Sequence, residues 1–258
     1  MPIAGGIYYF SHLEDERSKP PVILIHGAGG NHLHWPPEVR RIPGQRIYAP
    51  DLPGHGRSSG IGRQSVGDYA RIILDFMDEL DISKAVLIGH SMGAAIALAL
   101  GLDHARRTLG LGLLSGGARL VVSPELLDNT SSASTLPLAI KAISKWAFSP
   151  ATSQRLKELA LARMAETRPT VLHGDFLACN EFDVIGRLKK IRVPTLVLCG
   201  RDDRMTPMNY SEYLASQIEL ARLVRIENAG HMVMLEKPQE VMAEIQAFIA
   251  SIDYQPGN

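Results

Sequence analysis

The chain has 258 residues, of which 45% are hydrophobic and 21% charged, and its 27 basic side chains balance its 27 acidic ones. That length and apolar content suit one large domain whose core needs no disulfide staples. Zero formal net charge leaves no basic excess to neutralise phosphates, which argues against a nucleic-acid partner, and no apolar run reaches the ~18 residues of a membrane span.

In chain order, the first ten residues lack a basic segment followed by an apolar core, so no export leader is expected. Residues 7–10 read as a strand. Residues 22–25 form an aliphatic run between Pro20-Pro21 and His26-Gly27, and 46–49 ends at Pro50. Residues 65–80 carry Ile72, Ile73, Phe76, Met77 and Leu80 at helical spacing, with Ser65 and Asp68 spaced as a capping box. A strand at 85–88 precedes an Ala-rich helix at 94–100, and another strand falls at 109–114. Then the rhythm breaks. Between 118 and 186 no strand is evident. Leu136, Ala139, Ile140, Ile143, Trp146 and Ala147 share one helical face, and Leu156, Leu159, Ala160 and Met164 share another. A loop of that length is foreign to a compact domain, so 118–186 reads as a helical insertion after about the sixth strand. Core segments 1–117 and 187–258 flank it. Strands at 196–199 and 221–226 follow. Pro207 and Pro238 suit first helical positions, and Val241, Ile245, Phe248, Ile249 and Ile252 make the stripe of a last helix. Several strands are apolar on both faces, and strands alternate with helices. Both traits imply a mostly parallel, doubly wound α/β sheet. The two cysteines, Cys179 and Cys199, are too few for a disulfide framework and read as reduced, buried thiols of a cytoplasmic protein. Little self-repulsion near neutral pH suits a monomer or a homodimer.

The chemistry centres on Gly89-His90-Ser91-Met92-Gly93, set between the strand 85–88 and the helix that follows. A sharp turn there lifts the Ser91 hydroxyl above the sheet edge, with small residues two positions either side where a Cβ would collide. A serine nucleophile needs a base, and the base needs an orienting acid. His231, just past the strand 221–226, is the candidate base. His32 and His34 lie in a different connection, and His55 reads as a brace for its own turn. The acid falls in Gly200–Pro207 after the strand 196–199, where Asp203 sits midway and Asp202 is expected to pair with Arg201 or Arg204. Residues 115–118, after the strand 109–114, offer no acid. Oxyanion donors are the backbone N–H groups of Met92, opening its helix, and of Ala28 in the loop His26-Gly27-Ala28-Gly29-Gly30. That loop lacks the lysine and spacing of a phosphate cradle. No metal-ligand cluster is visible, and no cofactor or metal is implied.

These motifs, with 51–58 (Asp51-Leu52-Pro53-Gly54-His55-Gly56-Arg57-Ser58), resemble a serine hydrolase of the α/β-hydrolase superfamily over nearly the whole chain, in the order Ser, Asp, His. The resemblance implies an eight-stranded, largely parallel sheet with a helical cap over the serine, a first strand missing or abbreviated, and a structural turn at 51–58. It implies a carboxylic ester hydrolase acting through Ser91, His231 and Asp203 on a small-molecule ester of a small to medium apolar acyl group. Trp35, Leu136, Leu138, Trp146, Phe148, Met205, Met232 and Val233 are the candidate pocket residues. Gly200–Arg204 also resembles carbon–carbon bond hydrolases of the meta-cleavage type, although these generally carry asparagine where this chain has His90. Thioesterase or lyase relatives, and receptor-like members with slow turnover, share the framework.

Overall fold

The computed structural model describes residues 2–13 and 19–255. Its elements are β1 (Ile3–Ala4), β2 (Ile7–Leu13), β3 (Pro21–Ile25), α1 (Pro37–Arg40), β4 (Arg46–Pro50), α2 (Val66–Glu79), β5 (Ala85–His90), α3 (Met92–Asp103) and β6 (Thr108–Leu114). Four helices follow: α4 (Pro124–Thr130), α5 (Leu136–Trp146), α6 (Gln154–Ala165) and α7 (Pro169–Glu181). The chain closes with β7 (Thr195–Gly200), α8 (Met208–Gln217), β8 (Ala221–Ile226), α9 (Val233–Glu236) and α10 (Pro238–Ala250). The strands form one eight-stranded sheet in the order β1-β2-β4-β3-β5-β6-β7-β8. Only the β1–β2 and β2–β4 pairings are antiparallel. The first strand is abbreviated to two residues.

Strand alternation explains why this sheet must be covered on both sides. In β3, Ile23 and Ile25 join one core cluster while Val22 and Leu24 join the other; in β5, Leu87 and Ile88 divide in the same way. Helices α2, α3 and α8 cover the first face through Ile73, Phe76, Ile96 and Leu214. Helices α1 and α10 cover the second through Val39, Val241, Ile245 and Phe248. Residues that alternate between two apolar faces make a strand buried on both, as in β3, β5 and β7. At the edge, β8 keeps only Ile226 fully buried.

Helix α2 starts as its sequence predicts. Ser65 accepts the Asp68 N–H at 3.1 Å, and its hydroxyl donates back to the Asp68 carboxylate at 2.8 Å. Pro238 opens α10, but Pro207 is the cap before α8 rather than its first residue. The segment between β6 and β7 holds two helices that no stripe announced, α4 and α7. Helix α7 is buried on most of its surface, with Leu172 and Phe176 in one core cluster and Ala178 and Cys179 in the other. Both cysteines are buried and free, and burial pushes both thiols up. No helix of the described residues is long and apolar enough to cross a membrane.

Candidate active site

The order of strands reverses at β3, since β4 lies on one side of it and β5 on the other. Open parallel sheets bind ligands at such a switch point, beyond the carboxyl ends of the strands. Loops after β3, β5, β7 and β8 carry Ala28, Ser91, Asp203 and His231 to that one edge. Ser91 sits at φ 54° and ψ −117°, a left-handed conformation that costs a non-glycine residue on the order of 1–3 kcal/mol. Its N–H donates to the Leu114 carbonyl at 2.9 Å, and its own carbonyl accepts the Ala94 N–H at 2.9 Å. The turn is this tight because a Cβ on Gly89 would strike the Gly93 carbonyl, and one on Gly93 would strike the Ile25 carbonyl.

His231 Nδ1 lies 3.0 Å from Asp203 Oδ2 and 3.2 Å from Oδ1, so it donates to that carboxylate. Asp203 Oδ1 also accepts the N–H groups of Met205 and Thr206, each at 2.9 Å. The Thr206 hydroxyl stands 2.9 Å from both Asp203 Oδ2 and the Ser115 carbonyl and donates to one at a time. Burial alone would raise the Asp203 pKa, but the His231 charge and these hydrogen bonds outweigh it and hold the carboxyl below its usual range. Thr206 was not singled out in the sequence, where it looks like an ordinary residue before a proline. Among the described residues Asp202 pairs with no arginine: it accepts the Ser149 hydroxyl at 2.5 Å, while Arg201 pairs with Glu227. The His231 loop is further tied down by Glu236, which accepts the Gly230 and Ser149 N–H groups at 2.9 Å each.

Across the cavity lies the glycine loop. His26 Nδ1–H donates to the Gly27 carbonyl at 2.8 Å, and its Nε2 accepts the Leu52 N–H at 3.0 Å. Burial, helped by His55, pushes its pKa down to about 3, consistent with this neutral tautomer. Ala28 is half-buried and lines the cavity beside Ser91 and His231. Met92 buries its side chain in the core, and as the first residue of α3 its N–H has no intrahelical acceptor. The stretch 51–58 braces this loop: Asp51 accepts the His32 and Arg57 N–H groups at 2.6 and 2.9 Å, and His32 Nδ1 stands 2.9 Å from the same carboxylate.

Of the eight expected pocket residues, Met205 and Met232 line the cavity and six do not. Trp35 and Val233 are wholly buried in the second core cluster, and Leu136 packs there too. Leu138 follows Leu136 by two positions, on the opposite side of α5, and is 55% exposed. Phe148 is buried in the same core cluster, its backbone close against Gly230, and Trp146 is half-buried away from the cavity. Helical periodicity shows which face is buried, not whether it meets core or void. The walls are instead Ile143 of α5 and Ala147 that caps it, Met164 of α6, Phe176 and Cys179 of α7, Leu120–Val122, and Tyr210, with His34 and His90. His34, set aside in the sequence, is thus at the site, held neutral by burial and Arg163 at a pKa of about 4. Among the described residues, no Asp, Glu, Lys or Arg lines this cavity.

Comparison with known proteins agrees with this architecture. The chain is 27% identical to 3-oxoadipate enol-lactonase 1 of Acinetobacter baylyi over 242 residues, covering 91% of this chain and 90% of that protein. It is 29% identical to 2-hydroxy-6-oxo-2,4-heptadienoate hydrolase of Pseudomonas putida over 280 residues, covering 98% of this chain and 96% of the relative. A solved thermophilic esterase superposes with a TM-score of 0.79 at 30% identity, over 95% of this chain and 98% of the other. The sequence model of the alpha/beta hydrolase fold matches residues 20–238, and the chain belongs to that family as a hydrolase.

Proposed function

We propose that the protein hydrolyses uncharged carboxylic esters with an apolar acyl group, through an acyl-enzyme on Ser91. His231 takes the Ser91 proton as the hydroxyl oxygen attacks the ester carbon. Asp203, donated to by His231 Nδ1–H, fixes the tautomer that leaves Nε2 free to accept and stabilises the imidazolium that forms. The N–H groups of Ala28 and Met92 hold the oxyanion. His231 returns its proton to the departing alkoxide, then takes one from water as the water oxygen attacks the acyl carbon, and hands it to Ser91 Oγ as the bond to the acyl carbon breaks and the acid leaves. Residues 118–186 act as the cap that closes over the acyl chain.

The observation that carries the substrate class is a cavity wall with aliphatic, aromatic and sulfur-bearing side chains and no charged one among the described residues. The oxoadipate and heptadienoate in the relatives' names are carboxylates. An unpaired carboxylate in such a cavity would cost several kcal/mol. The test compares p-nitrophenyl esters of increasing acyl length with a carboxylated vinylogous diketone. Many turnovers on the uncharged esters are expected. Negligible esterase activity with efficient carbon–carbon cleavage of the diketone would replace this reading with the meta-cleavage one, and a single stoichiometric burst would replace it with a slow receptor-like member.

A further inference from the structure

The peptide units around Ala28 are held from several directions. Gly27 carbonyl accepts Gly30 N–H at 3.0 Å as well as His26 Nδ1–H. A trans peptide sets its N–H opposite its carbonyl, so the Ala28 N–H, on the same peptide, is turned the other way. Two further holds come from the segment between β6 and β7. Asp175 of α7 accepts the Gly29 N–H at 2.8 Å through Oδ2. Thr167, just ahead of α7, donates its hydroxyl to the Gly29 carbonyl at 3.1 Å. Gly29 adopts φ +63°, and a loop with glycines at 27, 29 and 30 has little stiffness of its own. Its shape is therefore set by the side chains that grip it.

Asp175 is wholly buried. Its Oδ1 accepts the Tyr69 hydroxyl at 2.5 Å, and Oδ2 accepts His55 Nε2–H at 2.7 Å. His55 Nδ1 faces the Pro53 carbonyl at 3.1 Å, so both ring nitrogens meet acceptors and both need protons. Burial would lower the His55 pKa, but the Asp175 carboxylate outweighs burial and raises it. The Asp175–His55 pair is then neutral overall. That matters because a lone carboxylate so close to Ala28 would oppose the negative charge that an oxyanion hole must welcome. A buried ion pair is in itself weak evidence for stability, so its place at this loop calls for a role beyond packing. The neighbouring Phe176 and Cys179, on the same helix, line the cavity.

We infer that Asp175 is a positioning residue for the oxyanion loop: with Thr167 it seats Gly29 so that the Ala28 N–H faces the reacting carbonyl. The seating of α7 on the core thereby becomes a condition for acyl transfer. This rests on the assignment of Ala28 and Met92 as oxyanion donors above.

The test compares wild type with Asp175→Ala, Asp175→Asn and Thr167→Val on a chromogenic short-chain ester. The same proteins are titrated with a trifluoromethyl ketone, which forms a tetrahedral oxyanion adduct with an active serine. Asp175→Ala is expected to lose about 10- to 100-fold in both kcat and ketone affinity with KM within about threefold. Asp175→Asn keeps an acceptor for Gly29 and should recover most of kcat. Thr167→Val leaves the ion pair intact and should lose roughly threefold to tenfold in kcat; it decides the matter if Asp175→Ala does not fold. Wild-type kcat and ketone affinity in the folded variants, with only a lower Tm, would reduce Asp175 to a brace and overturn the inference. A wild-type protein that forms no ketone adduct and turns over no ester would instead overturn the ester-hydrolase reading, and this inference with it.

Discussion

His90 Nε2 donates to the backbone carbonyl of His231 at 2.9 Å, and the two imidazoles stand 4.9 Å apart. The residue before Ser91 thus holds the loop that carries the candidate base. Burial and then the nearby His231 push the His90 pKa well below its ordinary value, so the ring stays neutral with its proton on Nε2. Replacing His90 with alanine strands the His231 carbonyl, a buried acceptor whose loss of partner costs about 1–3 kcal/mol. His90→Ala should lower stability by that amount and kcat by about tenfold, with little change in KM. Urea unfolding and steady-state kinetics read the two effects. Unchanged kcat in a folded variant would separate His90 from the chemistry.

The cavity walls predict how acyl preference shifts. Ile143 lies on α5 facing the cavity and is 1% exposed, whereas Leu138, on the same helix, is 55% exposed. Ile143→Ala should move the preferred ester to an acyl chain longer by about two carbons, at a stability cost of roughly 2–5 kcal/mol. Leu138→Ala should leave the profile where it was. A chain-length series on both variants checks this, and the opposite ranking would misplace the pocket.

Acid should unfold the protein through its buried histidines. His26 and His34 are pushed down to about 3 and about 4, chiefly by burial, and His90 is lowered for the same reason. In the unfolded chain each protonates at about pH 6.5. Because the folded values lie below the unfolded ones, the unfolded chain binds the proton first. Stability is then full above about pH 6.5 and falls as the pH drops toward the folded values. Three such groups give a slope on the order of 4 kcal/mol per pH unit near pH 5. His55, whose pKa is raised, acts in the other sense: its contribution is full below the unfolded value and is lost as pH rises through the folded one. Urea midpoints between pH 7.5 and 4.5 measure the net slope, and a flat profile from pH 7 to 5 would contradict it.

What the sequence could reveal followed from how local each feature is. Ser91, Asp203, His231 and Ala28 lie in turns whose residue types are dictated by the turn itself, so motif and strand order together bring them to one edge. The β3 and β5 strands are apolar on both faces, which announces a doubly covered sheet. Helix α7 left no such trace. It is buried on several sides, so no polar stripe gives it a helical period, and its one telling sign is an acid, Asp175, flanked by Gly174 and Phe176. Trp35, Phe148 and Val233 show the converse limit: they are large and apolar as pocket residues are, yet core packing consumes them. Whether an apolar side chain meets a neighbour or a void is decided by tertiary packing, which no local pattern encodes.

Acyl transfer at Ser91 is read by the turnover of an uncharged p-nitrophenyl ester by wild type and Ser91→Ala at matched folded concentration. Removing the nucleophile from a triad of this kind should cost at least about 10³-fold in kcat. Ser91 contributes little packing, being half-buried at the cavity, so Tm should not fall. Wild type is expected to turn over many times, with Ser91→Ala near background. Near-full esterase activity in a correctly folded Ser91→Ala protein would rule out Ser91 as the nucleophile.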